Sequence, residues 1–349
     1  KYRYVYSCYS DNCDSGYYHT GLYGNSVKIY AEFNNKEVEM IDIKKIVIAG
    51  AGLMGTSMAQ IFGKHGYDVV IYDLVPEALE TSKNLIKINQ DEQVKMGEIT
   101  AEESNKIKAA MSHTTDKAIF KSCDMVVESI VEKLEIKQKF WEEISRIVPE
   151  KAILATNTSG LSITAIAEGI YKPERFCGMH WFNPAHLIPL IEVIKGDKSS
   201  DEVCERVYDI SLEIGKEPIH VKKDALGFVG NRIQLAILRE AIYIVEQGIS
   251  SFEDVDKAMK YALGFRYACL GPFEVCDFGG LDTFYHIQTY LNQDLCDIKE
   301  PQKTLKNLYL NQEFGVKSKK GFYDYSGGKD EEAIRKRDEL YMKVSKLLK

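Results

Sequence analysis

From residue 44 onward, short apolar runs alternate with longer stretches whose apolar residues recur at helical spacing. KKIVIAG (44–50) and DVVIYD (68–73) have the length and composition of strands, and LMGTSMAQIFGKHG (53–66) between them has the period of a helix. A helical stretch is predicted from Pro76, because proline suits a first turn. MVVESI (125–130) and AILATNTS (152–159) are further strand-like runs, with the amphipathic segment Lys133–Val148 between them. RFCGMHWF (175–182) and PLIEVIKG (189–196) follow, separated by a Pro-containing loop, and PIHVKK (218–223) is one more. Strands that alternate with helices imply right-handed crossovers and a mostly parallel sheet.

The pattern changes after Gly227. GFVGNRIQLAILREAIYIVEQG (227–248) predicts one long helix, with Gly248 as its stop. Asp254–Leu263 and Leu281–Asn292 are helical in period, and the next strand-like run is KGFYDY (320–325). The expected organisation is an α/β domain over 40–225 followed by an all-α domain over 226–349. Residues 1–39 are crowded with tyrosine, poor in leucine and without a signal-peptide core, so they are expected to be a leader or extension outside the fold.

A net charge of −7 disfavours nonspecific nucleic-acid binding, which depends on neutralising phosphates. No apolar run has the length needed to cross a bilayer, so no membrane association is expected. The eight cysteines are scattered, with no Cys-x-x-Cys pair. That spacing argues against a disulfide framework and against a zinc site, and no metal is expected. Reduced thiols of this kind fit a cytoplasmic protein.

Gly50, Gly52 and Gly55 form a Gly-x-Gly-x-x-Gly motif that follows a predicted strand and opens a predicted helix. In that context Gly50 permits the tight turn, Gly52 lets backbone approach a pyrophosphate, and Gly55 lets the helix pack on the strand. The helix N-terminus favours the anion. This makes the first domain a Rossmann-type dinucleotide-binding domain. Asp73 ends the next strand, eighteen residues after Gly55, where a carboxylate can accept bonds from ribose hydroxyls and repels a 2′-phosphate. NAD is therefore expected over NADP, while the glycine motif by itself also fits FAD.

Loss of hydride from an alcohol requires a proton acceptor, and histidine has a suitable pKa. Of seven histidines, His180 stands out in GMHWFNP (178–184), because Asn-Pro ends the strand and turns the chain back. The returning strand carries Glu192. Side by side, Glu192 could face His180, fix its tautomer and stabilise its imidazolium. The bland alternatives are a core histidine and a solvated glutamate. Ser159 ends a strand on the side where open α/β sheets bind ligands, and its alternative is a loop residue beside an N-cap at Ser162. Asn231 begins the first helix of the second domain, where simple capping is the alternative.

Together these segments resemble the 3-hydroxyacyl-CoA dehydrogenases, including the bacterial 3-hydroxybutyryl-CoA dehydrogenases. The resemblance runs from Lys44 to Tyr325 and rests on GAGLMG, VVESIVEKLEIK, TNTSGLSIT, HWFNP, IEVIKG, GFVGNR, LGPFEVCDFGGLD and KSKKGFYDY. It implies that His180 is the catalytic acid/base with Glu192 as its partner, and that Ser159 and Asn231 position the substrate oxygen. It further implies cofactor contacts from Glu128, Lys133, Asn183 and Lys317. It implies a CoA thioester substrate and a homodimer formed through the helical domain, with Gly271–Asp282 near the interface. There are departures. Gly160 follows Ser159 where a second serine is common, and Gly230 stands where a β-branched residue is usual. His180 and Asn231 are one residue further apart than the family pattern. The family's CoA-contacting serine aligns with Asn89 or Asp91, and its lysine with Met96, leaving Lys83, Lys87 and Lys95 as possible substitutes.

The expected activity is NAD-dependent interconversion of short-chain 3-hydroxyacyl-CoA and 3-oxoacyl-CoA. A dehydrogenase of a free β-hydroxy acid, of the carnitine or gulonate kind, is the nearest alternative. A non-catalytic nucleotide-binding or structural protein is the more distant one.

Overall fold

Valine, isoleucine and alanine carry the centre of the fold. In β1 (Lys45–Ala49), Ile46 and Ile48 join the apolar cluster on one face of a sheet, and Val47 and Ala49 join the cluster on the other. A strand apolar on both faces suits a parallel sheet covered on both sides. The computed structural model describes residues 42–348. The expected leader over 1–39 lies outside the described residues.

The other strands are β2 (Asp68–Tyr72), β3 (Met111–Thr114), β4 (Met125–Glu128), β5 (Ile153–Thr156), β6 (Phe176–Trp181), β7 (Leu190–Ile194) and β8 (Glu217–Val221). They form one sheet in the order β3-β2-β1-β4-β5-β6-β7-β8. All neighbours are parallel except β6 and β7. Every strand expected before residue 225 is present. β3 was not expected: its residues, MSHT, sit at the sheet edge without an apolar run.

The helices of this half are α1 (Leu53–Lys64), α2 (Pro76–Lys95), α3 (Ala101–Ala109), α4 (Leu134–Ile144), α5 (Ile163–Ile166) and α6 (Asp201–Glu213). Met58 and Phe62 of α1, Leu79 and Ile86 of α2, and Val207 and Ile210 of α6 cover one face of the sheet. Trp141 and Ile144 of α4, with Ile163 and Ile166 of α5, cover the other. The chain leaves β1 towards β2 on one side and returns to β4 on the other. Such a reversal opens a crevice at the carboxyl ends of the strands, where ligands of this architecture bind.

Beyond β8 the chain is helical: α7 (Gly230–Glu246), α8 (Phe252–Ala258), α9 (Gly264–Tyr267), α10 (Pro272–Gly279), α11 (Leu281–Leu291), α12 (Lys303–Leu310) and α13 (Lys329–Leu347). The stop expected at Gly248 is present, with φ +70° and its N–H bonded back to Val245. The helix expected over Asp254–Leu263 is interrupted: α8 ends at Ala258, and Met259–Leu263 forms a wider π turn. KGFYDY is not a strand. With no neighbouring strand among the described residues to extend a ladder, it folds on itself through isolated bridges, Tyr325 N–H bonding to Lys319 O and Gly321 N–H to Tyr323 O. Few side chains of this region are buried. Phe265, Phe273, Phe278, Leu281, Tyr285 and Tyr290 are exposed, Phe273 by 86 %.

Candidate active site

The glycine loop after β1 has the geometry of an anion cradle. Gly50 has φ +113°, and a Cβ on it would lie 2.4 Å from the Ser129 carbonyl oxygen. A Cβ on Gly55 would lie 1.9 Å from Gly50 O, so only glycine lets α1 pack this closely. A Cβ on Gly52 would meet no protein atom within 4 Å, so this backbone faces open space at the start of α1. Asp73 braces the loop: its Oδ2 accepts from Ala51 N–H at 2.8 Å and its Oδ1 from Val75 N–H at 3.0 Å. These residues fit a dinucleotide with free ribose hydroxyls.

The antiparallel β6–β7 register sets His180 directly opposite Glu192. Directly opposed residues project on the same face. His180 Nδ1 and Glu192 Oε2 are 2.6 Å apart, and both side chains are buried. Burial pushes the Glu192 carboxyl up, but the bonds from His180 and from the Gly230 and Val229 N–H groups outweigh it and hold it below the ordinary carboxylate value. The His180 ring is near two phenyl rings, with centroids 4.5 Å from Phe182 and 5.7 Å from Phe228.

Ser159 lies exposed just beyond β5, and Asn231 lies in the first turn of α7. Asn231 Nδ2 donates to Ser159 O at 2.7 Å. Ser162 is the N-cap of α5, as the alternative reading of that loop foresaw. Asn231 neighbours Gly230, whose N–H binds Glu192, so the four expected catalytic residues form one linked constellation.

The expected cofactor contacts are placed unevenly. The Glu128 side chain is fully buried. Its carboxylate is enclosed and takes four donors: Ile130 N–H, Lys137 Nζ, Trp141 Nε1 and Thr156 Oγ1. It is a positioning group under the end of β4. Lys133 is exposed as the N-cap of α4. Asn183 is exposed beyond β6, at a cis bond to Pro184. Lys317 lies exposed on the 3-10 turn Val316–Ser318 in the helical region, and no bond among the described residues joins it to the crevice.

Two residues emerge that the sequence reading passed over. Lys137 is fully buried between Glu128, at 2.5 Å, and Glu132, at 3.4 Å. Glu132 Oε1 accepts from Thr158 Oγ1 at 2.5 Å and from Ser159 N–H at 2.8 Å. The chain Glu128–Lys137–Glu132 therefore holds the loop that carries Ser159. A signal was available, because Lys137, Trp141 and Ile144 share the buried stripe of α4, an unusual place for an unpaired lysine.

A glycine loop at a helix N-terminus, a carboxylate just beyond β2 and a histidine–glutamate pair on a doubly wound sheet are the parts of a nicotinamide-dependent dehydrogenase. Residues 45–225 match the model of the 3-hydroxyacyl-CoA dehydrogenase NAD-binding domain, and residues 227–325 match that of the 3-hydroxyacyl-CoA dehydrogenase C-terminal domain. The chain belongs to the 3-hydroxyacyl-CoA dehydrogenase family, and it is an NAD-dependent oxidoreductase. It is 38 % identical to a probable 3-hydroxybutyryl-CoA dehydrogenase of Deinococcus radiodurans, over 80 % of this chain and 100 % of that one. It is 36 % identical to the human mitochondrial hydroxyacyl-coenzyme A dehydrogenase, over 82 % of this chain and 92 % of that one. A solved 5-formyl-3-hydroxy-2-methylpyridine 4-carboxylic acid 5-dehydrogenase superposes with a TM-score of 0.80 at 32 % identity, covering 88 % of this chain and 99 % of its own.

Proposed function

We propose that the chain interconverts short-chain 3-hydroxyacyl-CoA and 3-oxoacyl-CoA, with 3-hydroxybutyryl-CoA and acetoacetyl-CoA as the type pair. The observation that carries this reading is the buried His180–Glu192 pair, linked through Gly230 to the Asn231–Ser159 contact. NAD, when bound, supplies the acceptor for the hydride that leaves C3. His180 takes the C3 hydroxyl proton on Nε2, because Nδ1 is engaged by Glu192. Glu192 stays ionised and stabilises the imidazolium. In the reverse direction His180 returns that proton to the oxygen. The Ser159 hydroxyl and the Asn231 amide hold the oxygen, and Phe182 and Phe228 shield the flanks of the imidazole. Asp73 receives the ribose hydroxyls, and Lys133, Asn183 and Lys317 are the remaining proposed cofactor contacts.

The protein would act as a cytoplasmic homodimer with its domain division near Ala225. Support for the dimer comes from the exposed aromatic and leucine side chains of α9, α10 and α11, since soluble monomers rarely expose large contiguous apolar patches. Among the described residues, no helix is long and apolar enough to cross a membrane.

A second reading, a substrate with a free carboxylate, is favoured by α2. There Lys83 is paired with Glu80 at 2.6 Å and Lys87 with Asp91 at 3.8 Å, which weakens any phosphate clamp. NADH oxidation with acetoacetyl-CoA against a panel of free β-keto acids decides between them. Higher kcat/KM for a free acid would replace the first reading by the second.

A further inference from the structure

Lys216 stands in the turn between α6 and β8. Helix α6 stops before Gly215, whose φ of +70° lets the chain turn, and Lys216 N–H bonds back to Ser211 O. One residue on, Glu217 N–H donates to Pro189 O at 3.0 Å, so β8 starts beside the entry to β7. From this place the Lys216 side chain reaches the loop that joins β6 to β7. Lysine is rarely so enclosed: only 6 % of Lys216 is exposed. Its Nζ donates to Ala185 O at 2.6 Å and to Ile188 O at 2.8 Å, and lies 5.4 Å from the centre of the Trp181 ring. Carbonyl oxygens and an indole face take the place of water around the cation.

The loop itself makes a single turn, in which the Leu187 and Ile188 N–H groups both bond to Pro184 O at 3.0 Å. The ammonium joins the carbonyls of Ala185 and Ile188 in that turn, and Asn183 stands two residues before Ala185. The strand that carries His180 is held separately. Trp181 N–H donates to Asn157 Oδ1 at 3.0 Å, and Trp181 pairs with Ile191 in the β6–β7 ladder. Loss of the ammonium therefore frees the loop before it frees the histidine.

We propose that Lys216 is a positioning residue for the cofactor: its ammonium seats the 182–189 loop and so holds Asn183 in place for NAD. The seating rests on the two carbonyl bonds, whereas its effect on the cofactor rests on the reading of Asn183 given above. The two separate by substitution. Lys216→Met keeps an unbranched apolar stem on Trp181 and takes the donor away from both carbonyls. Asn183→Ala leaves the seat intact and removes the group that it holds.

The test compares the full chain with Lys216→Met, Asn183→Ala and the double variant. It measures NADH binding by the fluorescence of NADH, turnover of acetoacetyl-CoA at saturating NADH, and amide hydrogen exchange over residues 184–189. Lys216→Met raises Kd for NADH by about tenfold, the weight of a lost hydrogen bond to a charged group, while kcat falls by a smaller factor. The Leu187 and Ile188 amides exchange at least about tenfold faster through local opening. In the double variant Kd equals that of Asn183→Ala alone, because two residues that act through one contact do not add. An effect of Lys216→Met on Kd that persists undiminished beside Asn183→Ala shows another route and overturns the proposal, as does unchanged exchange at Leu187 and Ile188. An Asn183→Ala chain with normal Kd overturns the cofactor reading of Asn183, and the exchange rates then decide the seating alone. If Lys216→Met does not fold, reductive methylation of the unmutated chain decides: Lys216 modified as fast as the exposed Lys198 overturns the proposal.

Discussion

Asn231 Nδ2 and the Ser159 carbonyl oxygen lie 2.7 Å apart, although 72 positions separate the residues in the chain. This bond joins the end of β5 to the start of α7 and fixes two groups assigned to the substrate oxygen. Asn231→Ala leaves the His180–Glu192 pair intact but removes the bond and one oxygen contact. Misplacement of a substrate by about 1 Å can cost roughly 10²-fold in rate, so kcat/KM for acetoacetyl-CoA is expected to fall by that order. KM for NADH should stay within a small factor. Unchanged kcat/KM in steady-state assays would remove Asn231 from the site.

Asp73 combines its two bonds to the glycine loop and α2 entry with a proposed role towards the cofactor ribose. Its oxygens brace Ala51 and Val75, and its charge disfavours a 2′-phosphate. Asp73→Ala should raise KM for NADH and narrow the preference for NADH over NADPH by about tenfold, the weight of one hydrogen bond to a charged group. The ratio of kcat/KM values checks this. A preference that survives intact would assign cofactor choice elsewhere.

The sheet was legible because β1, β2, β4, β5, β6 and β7 are apolar runs bounded by turn residues, and the Asn183–Pro184 turn brought His180 and Glu192 into register. β3 was not legible, since MSHT is half exposed at an edge and pairing with β2 alone makes it a strand. KGFYDY failed in the opposite sense: it has strand composition but no partner strand. At the end of β4, the resemblance implied cofactor contacts from Glu128 and Lys133; the Glu128 carboxylate is enclosed, while Lys133 is exposed as the N-cap of α4. Helix α4 begins at Leu134 and carries Lys137 back beneath Glu128 and Glu132, a folding-back that spacing along the chain does not display. The bond from Glu192 to α7 was equally hidden, because its donors are backbone groups.

Lys137 compensates Glu128 where neither is exposed. Removing one partner of a buried pair strands the other charge and costs roughly 3–5 kcal/mol. Lys137→Met is therefore expected to lower Tm strongly and to loosen the loop that Glu132 holds. Adding Glu128→Gln should recover part of the loss, because no buried charge is then left alone. Thermal unfolding of the single and double variants gives the comparison, and a single variant as stable as the parent would contradict the burial.

Gly230 lies against Phe182. A Cβ at this position would come within 2.5 Å of Phe182 Cζ, and the same ring lies against His180. Gly230→Val must push the ring out of place, with an overpacking cost of about 1–3 kcal/mol. Lower kcat should accompany lower stability, because the displaced ring flanks the imidazole. Phe182→Leu in the same chain should restore both in part. If Gly230→Val alone has normal kcat and Tm, the ring moves freely and does not shape the site.

In the proposed reading, the CoA end of the substrate meets α2. Phosphates lose hydration on entering a site, so a favourable local field is needed. Lys83 and Lys87 are each paired with a carboxylate of their own helix, whereas Lys95, in the last turn, is exposed and has no ion-pair partner among the described residues. Lys95 is thus the cation best able to meet a phosphate. An exposed charge pair contributes about 1 kcal/mol or less. Lys95→Glu replaces attraction by repulsion, so KM for acetoacetyl-CoA should rise by about fivefold at low ionic strength. Screening shortens to about 3 Å at 1 M salt, so the difference from the parent should shrink as salt is added. KM for NADH, for which the glycine loop and Asp73 are the proposed contacts, should barely change. A KM for acetoacetyl-CoA that ignores both Lys95→Glu and salt would show that α2 does not bind the CoA tail, and would favour a free-acid substrate.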